Sequence, residues 1–272
     1  MSKFIISLIS LLILSFPVYS QASNQEIKTP LSKEEKNKLE QEIEELKILL
    51  DKDPMRADVH LNLANTYWKL GRVGKPIKHY YAAIKINPNY TEAYYDLANM
   101  FFTQGEWDQA LSAYQKAITT KPDFAEAYNG EGNAFVDKKD YKNAINSYKK
   151  AIELKANYNE AKYNLCSAYI FNAKYSEAIT ACKEAVNSFE DAQAYNNLGN
   201  AYFRTSQLDK ALWAYEKALS VNPSLSAAYF NIGAIKLLKD DIQGASQAQK
   251  KLETLDLQKS YKLSKLISSY KK

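Results

Sequence analysis

The chain reads as an all-α solenoid of antiparallel helix pairs, and three observations point there. Pro54, Pro88 and Pro122 fall 34 residues apart, and Pro223 returns in the same phase after one missing residue. Within each interval apolar residues recur at i, i+3, i+4 and i+7, one helical face, as at Tyr94, Leu97, Ala98 and Phe101. Only 8 Gly and 7 Pro among 272 residues argue against collagen, low-complexity linkers and long disordered tracts. Contents of 46% hydrophobic and 25% charged residues are ordinary for a globular chain.

Residues 1–20 stand apart from this pattern, with Lys3 at the start, an apolar run over 4–18 and a break at Pro17. The run is shorter than the roughly 20 residues that cross a bilayer as a helix. It reads as an export signal, cleaved after Ser20 or after Ala22. The alternative is an uncleaved signal that stays as a membrane anchor. No Cys lies near the junction, which excludes a lipid on an N-terminal cysteine. The expected location is periplasmic or secreted, in an oxidising compartment, with residues 21–30 as a flexible leader.

An N-terminal capping helix is expected over 31–56, with Leu39, Ile43, Leu46, Leu49 and Leu50 on one face. This end is acidic: residues 26–53 hold 9 acids against 6 bases. Six units follow, over 57–90, 91–124, 125–158, 159–191, 192–225 and 226–259. In unit 91–124 the stripe of the first helix faces Ala110, Leu111, Tyr114, Ala117 and Ile118 on a second. Ala98 and Ala110 let the two backbones approach while the large rings fill the flanking gaps. Gly105 supports the turn between them, and Pro122 ends the second helix. No unit can bury both faces alone, so each stacks on the next. Most of the 21 Tyr, such as Tyr94, Tyr128, Tyr195 and Tyr229, are then packing residues.

Unit 91–124 carries Tyr94, Leu97, Ala98, Phe101, Ala110, Tyr114, Ala117 and Pro122, and unit 192–225 carries Tyr195, Leu198, Gly199, Tyr202, Ala211, Tyr215, Ala218 and Pro223. At these eight signature positions both units resemble the tetratricopeptide repeat. The other units depart from it in places, with His60 and Pro76 in the first, Glu131 and Ala156 in the third, and Lys162, Cys182 and Glu190 in the fourth. The sixth loses the pattern at Gln249 and Leu252. The resemblance implies one right-handed superhelical domain from about 31 to 272. A C-terminal capping helix over 260–272 would close it, with Leu263, Leu266, Ile267 and Tyr270 at helical spacing.

Chemistry is sparse. The 2 His, His60 and His79, lie on different helices without spaced metal-ligand partners, so neither a metal nor a catalytic role is assigned. The glycines sit singly and build no phosphate loop. No nucleophile motif occurs. The expectation is a protein that is not an enzyme and takes no cofactor. A net charge of +5 over this length is too mild to imply nucleic acid. Cys166 and Cys182 hold positions 8 and 24 of one unit, where a small residue and a ring normally meet across the hairpin. In an exported chain they are expected to form a disulfide; the alternative is two buried thiols.

In the tetratricopeptide family the first helices of successive units line a groove that receives a peptide or helix. Carried over, the resemblance places there Glu92 and Glu126 at position 2, and Tyr95, Asn129, Tyr163, Asn196 and Phe230 at position 5. It adds Asn65, Asn99, Asn133 and Asn200 at position 9, with Trp68, Phe102 and Phe203 at position 12. Domains of this family that clamp acidic C-termini use Lys or Arg where Glu92 and Glu126 stand, so a neutral or basic segment is the expected partner. Residues 250–272 hold 7 Lys against Glu253 and Asp256, either a solvated cap or a contact for an anionic surface. The expected function is an exported protein-binding adaptor in assembly of an envelope complex. Its alternative is a membrane-anchored structural subunit of a secretion or pilus-type machine.

Overall fold

The computed structural model describes residues 31–72 and 74–270, so the export signal and leader expected over 1–30 lie outside the described residues. Among these residues there are 14 helices and no strand. None is long and apolar enough to cross a membrane. They group into two compact units divided between Tyr158 and Asn159.

The first unit opens with α1 (Lys33–Lys52). A capping box starts it: Ser32 Oγ accepts from the Glu35 amide at 3.1 Å, and the Ser32 amide donates to Glu35 Oε2 at 2.7 Å. Ile43 and Leu46 are buried against Val59, Leu63 and Tyr67, with Leu50 half-buried beside them. Leu49 belongs to no such contact and is 39% exposed, because α1 packs on a single hairpin and buries a narrower face than five residues would need.

Three hairpins follow: α2 (Ala57–Lys69) with α3 (Lys75–Ile86), α4 (Thr91–Thr103) with α5 (Trp107–Thr120), and α6 (Ala125–Asp137) with α7 (Tyr141–Leu154). Each pair packs along its length, and within this unit α3 meets α4 and α5 meets α6. The first helices α2, α4 and α6 also touch in succession. Their inner stripes form one core containing Ala64, Tyr80, Leu97, Ala98, Phe101, Ala110 and Tyr114.

The second unit has α8 (Asn159–Phe171) with α9 (Tyr175–Ser188), α10 (Ala192–Arg204) with α11 (Leu208–Val221), and α12 (Ser226–Leu238) with α13 (Ile242–Leu255). The closing helix α14 (Leu257–Tyr270) begins three residues earlier than the repeat spacing indicates. Asp256 sets that start, accepting from the Lys259 amide at 3.0 Å as an N-cap does. Helix α14 packs on both α12 and α13, burying Leu263, Leu266 and Ile267.

Every hairpin has a residue with positive φ at position 15, and the first adds a second at Gly74, φ 81°. Gly71 and Gly105 have φ of 69° and 76°, but Lys139, Ala173, Ser206 and Asp240 hold the same place at 61°, 54°, 59° and 61°. A left-handed conformation costs an L-residue roughly 1–2 kcal/mol relative to glycine. Ala173 has no polar side chain to offset this, so Ala173→Gly is expected to raise stability by about 0.5–1 kcal/mol, less than the full strain because glycine also frees the unfolded chain. Urea unfolding of both proteins tests this.

Candidate protein-binding face

The geometry of any face on these first helices is set by the hairpin beneath it. A tyrosine at position 24 of the second helix lies over a small residue at position 8 of the first. A Cβ added at Gly132 would stand 2.5 Å from the Tyr148 ring, and one at Gly199 2.5 Å from the Tyr215 ring. The rings of Tyr80, Tyr114, Tyr148 and Tyr215 are fully buried. Each hydroxyl donates to an asparagine at position 9: Tyr80 to Asn65 Oδ1 at 2.5 Å, Tyr114 to Asn99 at 2.6 Å, Tyr148 to Asn133 at 2.7 Å and Tyr215 to Asn200 at 2.8 Å. Burial pushes the Tyr80 and Tyr215 phenols well above their ordinary range, so they stay protonated donors.

Two of these asparagines also reach the next repeat. Asn65 Nδ2 donates to Asp96 Oδ2 at 2.8 Å, and Asn200 Oδ1 accepts from Asn231 Nδ2 at 3.2 Å. Burial raises the Asp96 carboxyl, while the Asn65 amide works against that shift. In unit 159–191 the ring and asparagine are replaced. Cys166 and Cys182 form a disulfide with Cα atoms 4.8 Å apart, and Ser167 at position 9 accepts from Asn197 Nδ2 at 3.0 Å. Both cysteines are wholly buried.

These contacts revise the set expected on the face. Asn65, Asn99, Asn133 and Asn200 direct their carbonyl oxygens inward to tyrosine, so they are structural joints and not a free amide ladder for a peptide backbone. Asn129 and Asn196 are 4% and 6% exposed, and Tyr163, Phe203 and Phe230 are 5%, 7% and 0% exposed. None of these five offers a surface as placed. Asn196 Oδ1 accepts from Asn231 Nδ2 at 3.4 Å, a contact within the second unit.

The accessible remainder lies in the first unit. Trp68, Tyr95 and Phe102 are half-buried, each resting on the core beneath α2 and α4. Tyr95 is held by Phe124 and Tyr114, ring centroids 5.0 and 6.0 Å away. Glu92 is exposed, whereas Glu126 is half-buried and pairs with Lys155 at 2.8 Å. That lysine holds the Glu126 carboxyl below the usual carboxylate range. The face can therefore offer aromatic edges and acidic charge, chemistry suited to apolar and basic side chains.

The two histidines, read from sequence as unrelated, meet across the α2–α3 hairpin. Their Nδ1 atoms are 3.0 Å apart, and His79 also stacks on Tyr67 at 5.7 Å. His60 Nε2 lies 3.2 Å from the Pro54 carbonyl oxygen, which can only accept, so neutral His60 donates there and accepts at Nδ1 from His79. A spacing of 19 residues, spanning the turn between two helices, hid this pair. Among the described residues no three or more His, Cys, Asp or Glu side chains group as metal ligands.

Burial, then His60 and the flanking Lys78 and Lys75, push the His79 imidazole down to about 4. The sign follows directly: the unfolded chain takes up this proton near the ordinary value of about 6.5, before the folded one does. Stability from this pair is complete above about pH 6.5 and is lost as pH falls toward 4. With the ring half-solvated, the loss is about 1–2 kcal/mol. Urea unfolding of the native chain and of His79→Gln between pH 7 and 4 is expected to show a steeper decline for the native chain.

The Tyr–Asn joint generates a second expectation. Tyr80→Phe removes one hydrogen bond and is expected to cost about 1 kcal/mol. Asn65→Ala strands both the Tyr80 hydroxyl and the Asp96 carboxylate and is expected to cost about 2 kcal/mol. Thermal unfolding of the two variants distinguishes them.

Profiles described as tetratricopeptide repeat match residues 57–90, 95–159, 135–202 and 192–225. No curated protein matches the chain in sequence. Among solved structures, MamA is 32% identical with a TM-score of 0.56, the alignment covering 62% of this chain and 97% of MamA. YrrB, described as a TPR protein with an unusual peptide-binding site, is 24% identical with a TM-score of 0.59, over 68% of this chain and 97% of its own. PilW, described as a widely conserved type IV pilus biogenesis factor, is 18% identical with a TM-score of 0.63, over 73% and 92%. The last two show the fold alone. With its 34-residue period, its ring-over-small-residue hairpins and these matches, the chain belongs to the tetratricopeptide repeat family.

Proposed function

We propose that this protein is an exported, non-catalytic adaptor that holds a neutral or basic protein segment against α2, α4 and α6 and helps assemble an envelope complex. The observation that carries the reading is the accessible row of Trp68, Tyr95 and Phe102 beside the exposed carboxylate of Glu92. Aromatic faces at helical spacing take apolar side chains, and the flanking acid attracts lysine or arginine and repels an acidic terminus. Export is supported by the Cys166–Cys182 disulfide, which persists in oxidising compartments, and by the 4–18 segment of the sequence. The peptide-binding site printed for YrrB and the pilus biogenesis role printed for PilW belong to those proteins, and are the kind of activity proposed here. The PilW likeness also favours a second reading, a structural subunit of a pilus-type machine tethered through 4–18.

A photo-crosslinking residue at Phe102 of the full chain, on the face, is compared with one at Gln115, exposed on α5. In cells, one protein is expected to crosslink from position 102 and not from 115, and the yield to fall about tenfold with Glu92→Lys, one charge reversal being worth roughly a decade at a desolvated contact. Equal products from both positions, or a yield unmoved by Glu92→Lys, overturns the proposal. Sequencing the N-terminus of the purified protein separates the two readings: a start after 20 or 22 supports the exported adaptor, and an intact Met1 supports the tethered subunit.

A further inference from the structure

Helix α14 does two jobs with its two faces. Its inner face closes the second unit through Ser260, Leu263, Leu266 and Ile267, all buried. Leu263 reaches within 2.5 Å of where a Gly233 side chain would start, and Ser260 accepts from Gln249 at 2.9 Å. The outer face is not needed for that closure, yet it is not simply polar. Leu257 is 73% exposed and Tyr261, one turn on, is 60% exposed; Leu255, just before the helix, is 39% exposed.

Cations share this end of the chain, two on α14 itself and two on the last turns of α13. Lys250, Lys251, Lys262 and Lys265 are exposed, and Lys265 Nζ stands 4.7 Å over the Tyr261 ring. The two acids of 250–272 are engaged: Asp256 bonds Lys259 and the Ser226 hydroxyl, and Glu253 accepts from Gln249 at 3.1 Å. Of the acids at the α12–α13 turn, Asp240 accepts from the Tyr270 hydroxyl and Asp241 pairs with Lys236. Ser264 and Ser268 fill the remaining outward turns with small side chains. The result is a short apolar ridge within a basic field, at one end of a folded unit.

We propose that this end of the protein docks on an anionic lipid bilayer. Leu257 and Tyr261 enter the headgroup layer while the exposed Lys262 and Lys265 beside them face the lipid phosphates. Charge favours this occupant, since 7 Lys against 2 acids is complementary to an anionic surface and not to the acidic 26–53 segment alone. Size favours it over a second protein. Two protruding side chains and one half-exposed leucine fall far short of the roughly 800 Å² per partner of a stable protein interface, whereas shallow insertion with electrostatic attraction needs only a few apolar side chains. Tyrosine, apolar in body and polar at its tip, suits that depth. The proposal is independent of the protein-binding face on the first unit.

The full chain carrying Gln258→Cys with an environment-sensitive fluorophore reports this contact locally, because Gln258 is exposed and both native cysteines are paired and buried. A blue shift is expected on phosphatidylglycerol vesicles and none on phosphatidylcholine vesicles. Affinity is expected to fall about tenfold or more between ~50 and ~500 mM salt. Leu257→Ser with Tyr261→Ser, and separately Lys262→Glu with Lys265→Glu, are each expected to weaken it about tenfold. All four residues are solvent-facing, and circular dichroism checks that the variants remain folded. No shift on anionic vesicles overturns the proposal. So does a shift that both variants keep, which would show that neither the Leu257–Tyr261 ridge nor Lys262 and Lys265 carry the contact. A shift that grows with protein concentration in the absence of lipid also overturns it, in favour of self-association.

Discussion

Four of the six repeats are built on one contact, a large ring on the second helix laid over a small residue on the first. Gly132 and Gly199 are glycine because Tyr148 and Tyr215 occupy the space a Cβ would take. This close approach brings the tyrosine hydroxyl to an asparagine one residue further along. The buried phenol is thereby satisfied, as a polar group out of water must be. The asparagine then extends the connection to the following repeat, as Asn65 does to Asp96. Packing within a hairpin and stacking between hairpins are thus coupled through a single side chain.

Where the ring is missing, other groups take its place. In unit 159–191 the Cys166–Cys182 disulfide spans the same two positions. It links the helices covalently where the Tyr–Asn hydrogen bond is lost, and Ser167 keeps the bond to the next repeat. In the last hairpin position 24 is Gln249, which has turned toward Ser260, and Leu263 of α14 fills the space above Gly233. The closing helix therefore supplies from outside what a second-helix tyrosine supplies elsewhere. This explains why the sixth unit can lose its pattern and still fold.

Much of this was legible in the residues. The stripes of Tyr94, Leu97, Ala98 and Phe101 and of Ala110, Tyr114 and Ala117 specify the helices and the faces they bury, because periodicity and residue size are local properties. Functional assignment was less legible, because one side of a first helix serves two purposes. Asn65, Asn99, Asn133 and Asn200 stand at the edge of the face, but their acceptors belong to the core; only the position of the tyrosine across the hairpin decides between these roles. The His60–His79 pair escaped for a related reason, since it depends on how two helices are rotated against each other. The positive φ at Lys139, Ala173 and Ser206 had no signal in residue type, while Asp240 is a residue that tolerates this region. It follows from hairpin geometry, which imposes the turn whether or not glycine is present.

The two units differ in what they leave accessible. The first keeps Trp68, Tyr95 and Phe102 half-exposed beside Glu92, whereas in the second the equivalent Tyr163, Phe203 and Phe230 are buried. The second unit also carries the disulfide and the basic closing helix. Recognition of a segment needs exposed, rigidly seated side chains, and the core under Tyr95 provides that seat through Phe124 and Tyr114. The proposed membrane contact would need a stiff body with charge at its end, and the second unit is cross-linked within one hairpin and closed by α14. The repeat family makes this division possible. Within each unit the contacts run between successive hairpins, so surface chemistry can change along the chain while the ring-over-small-residue joint recurs.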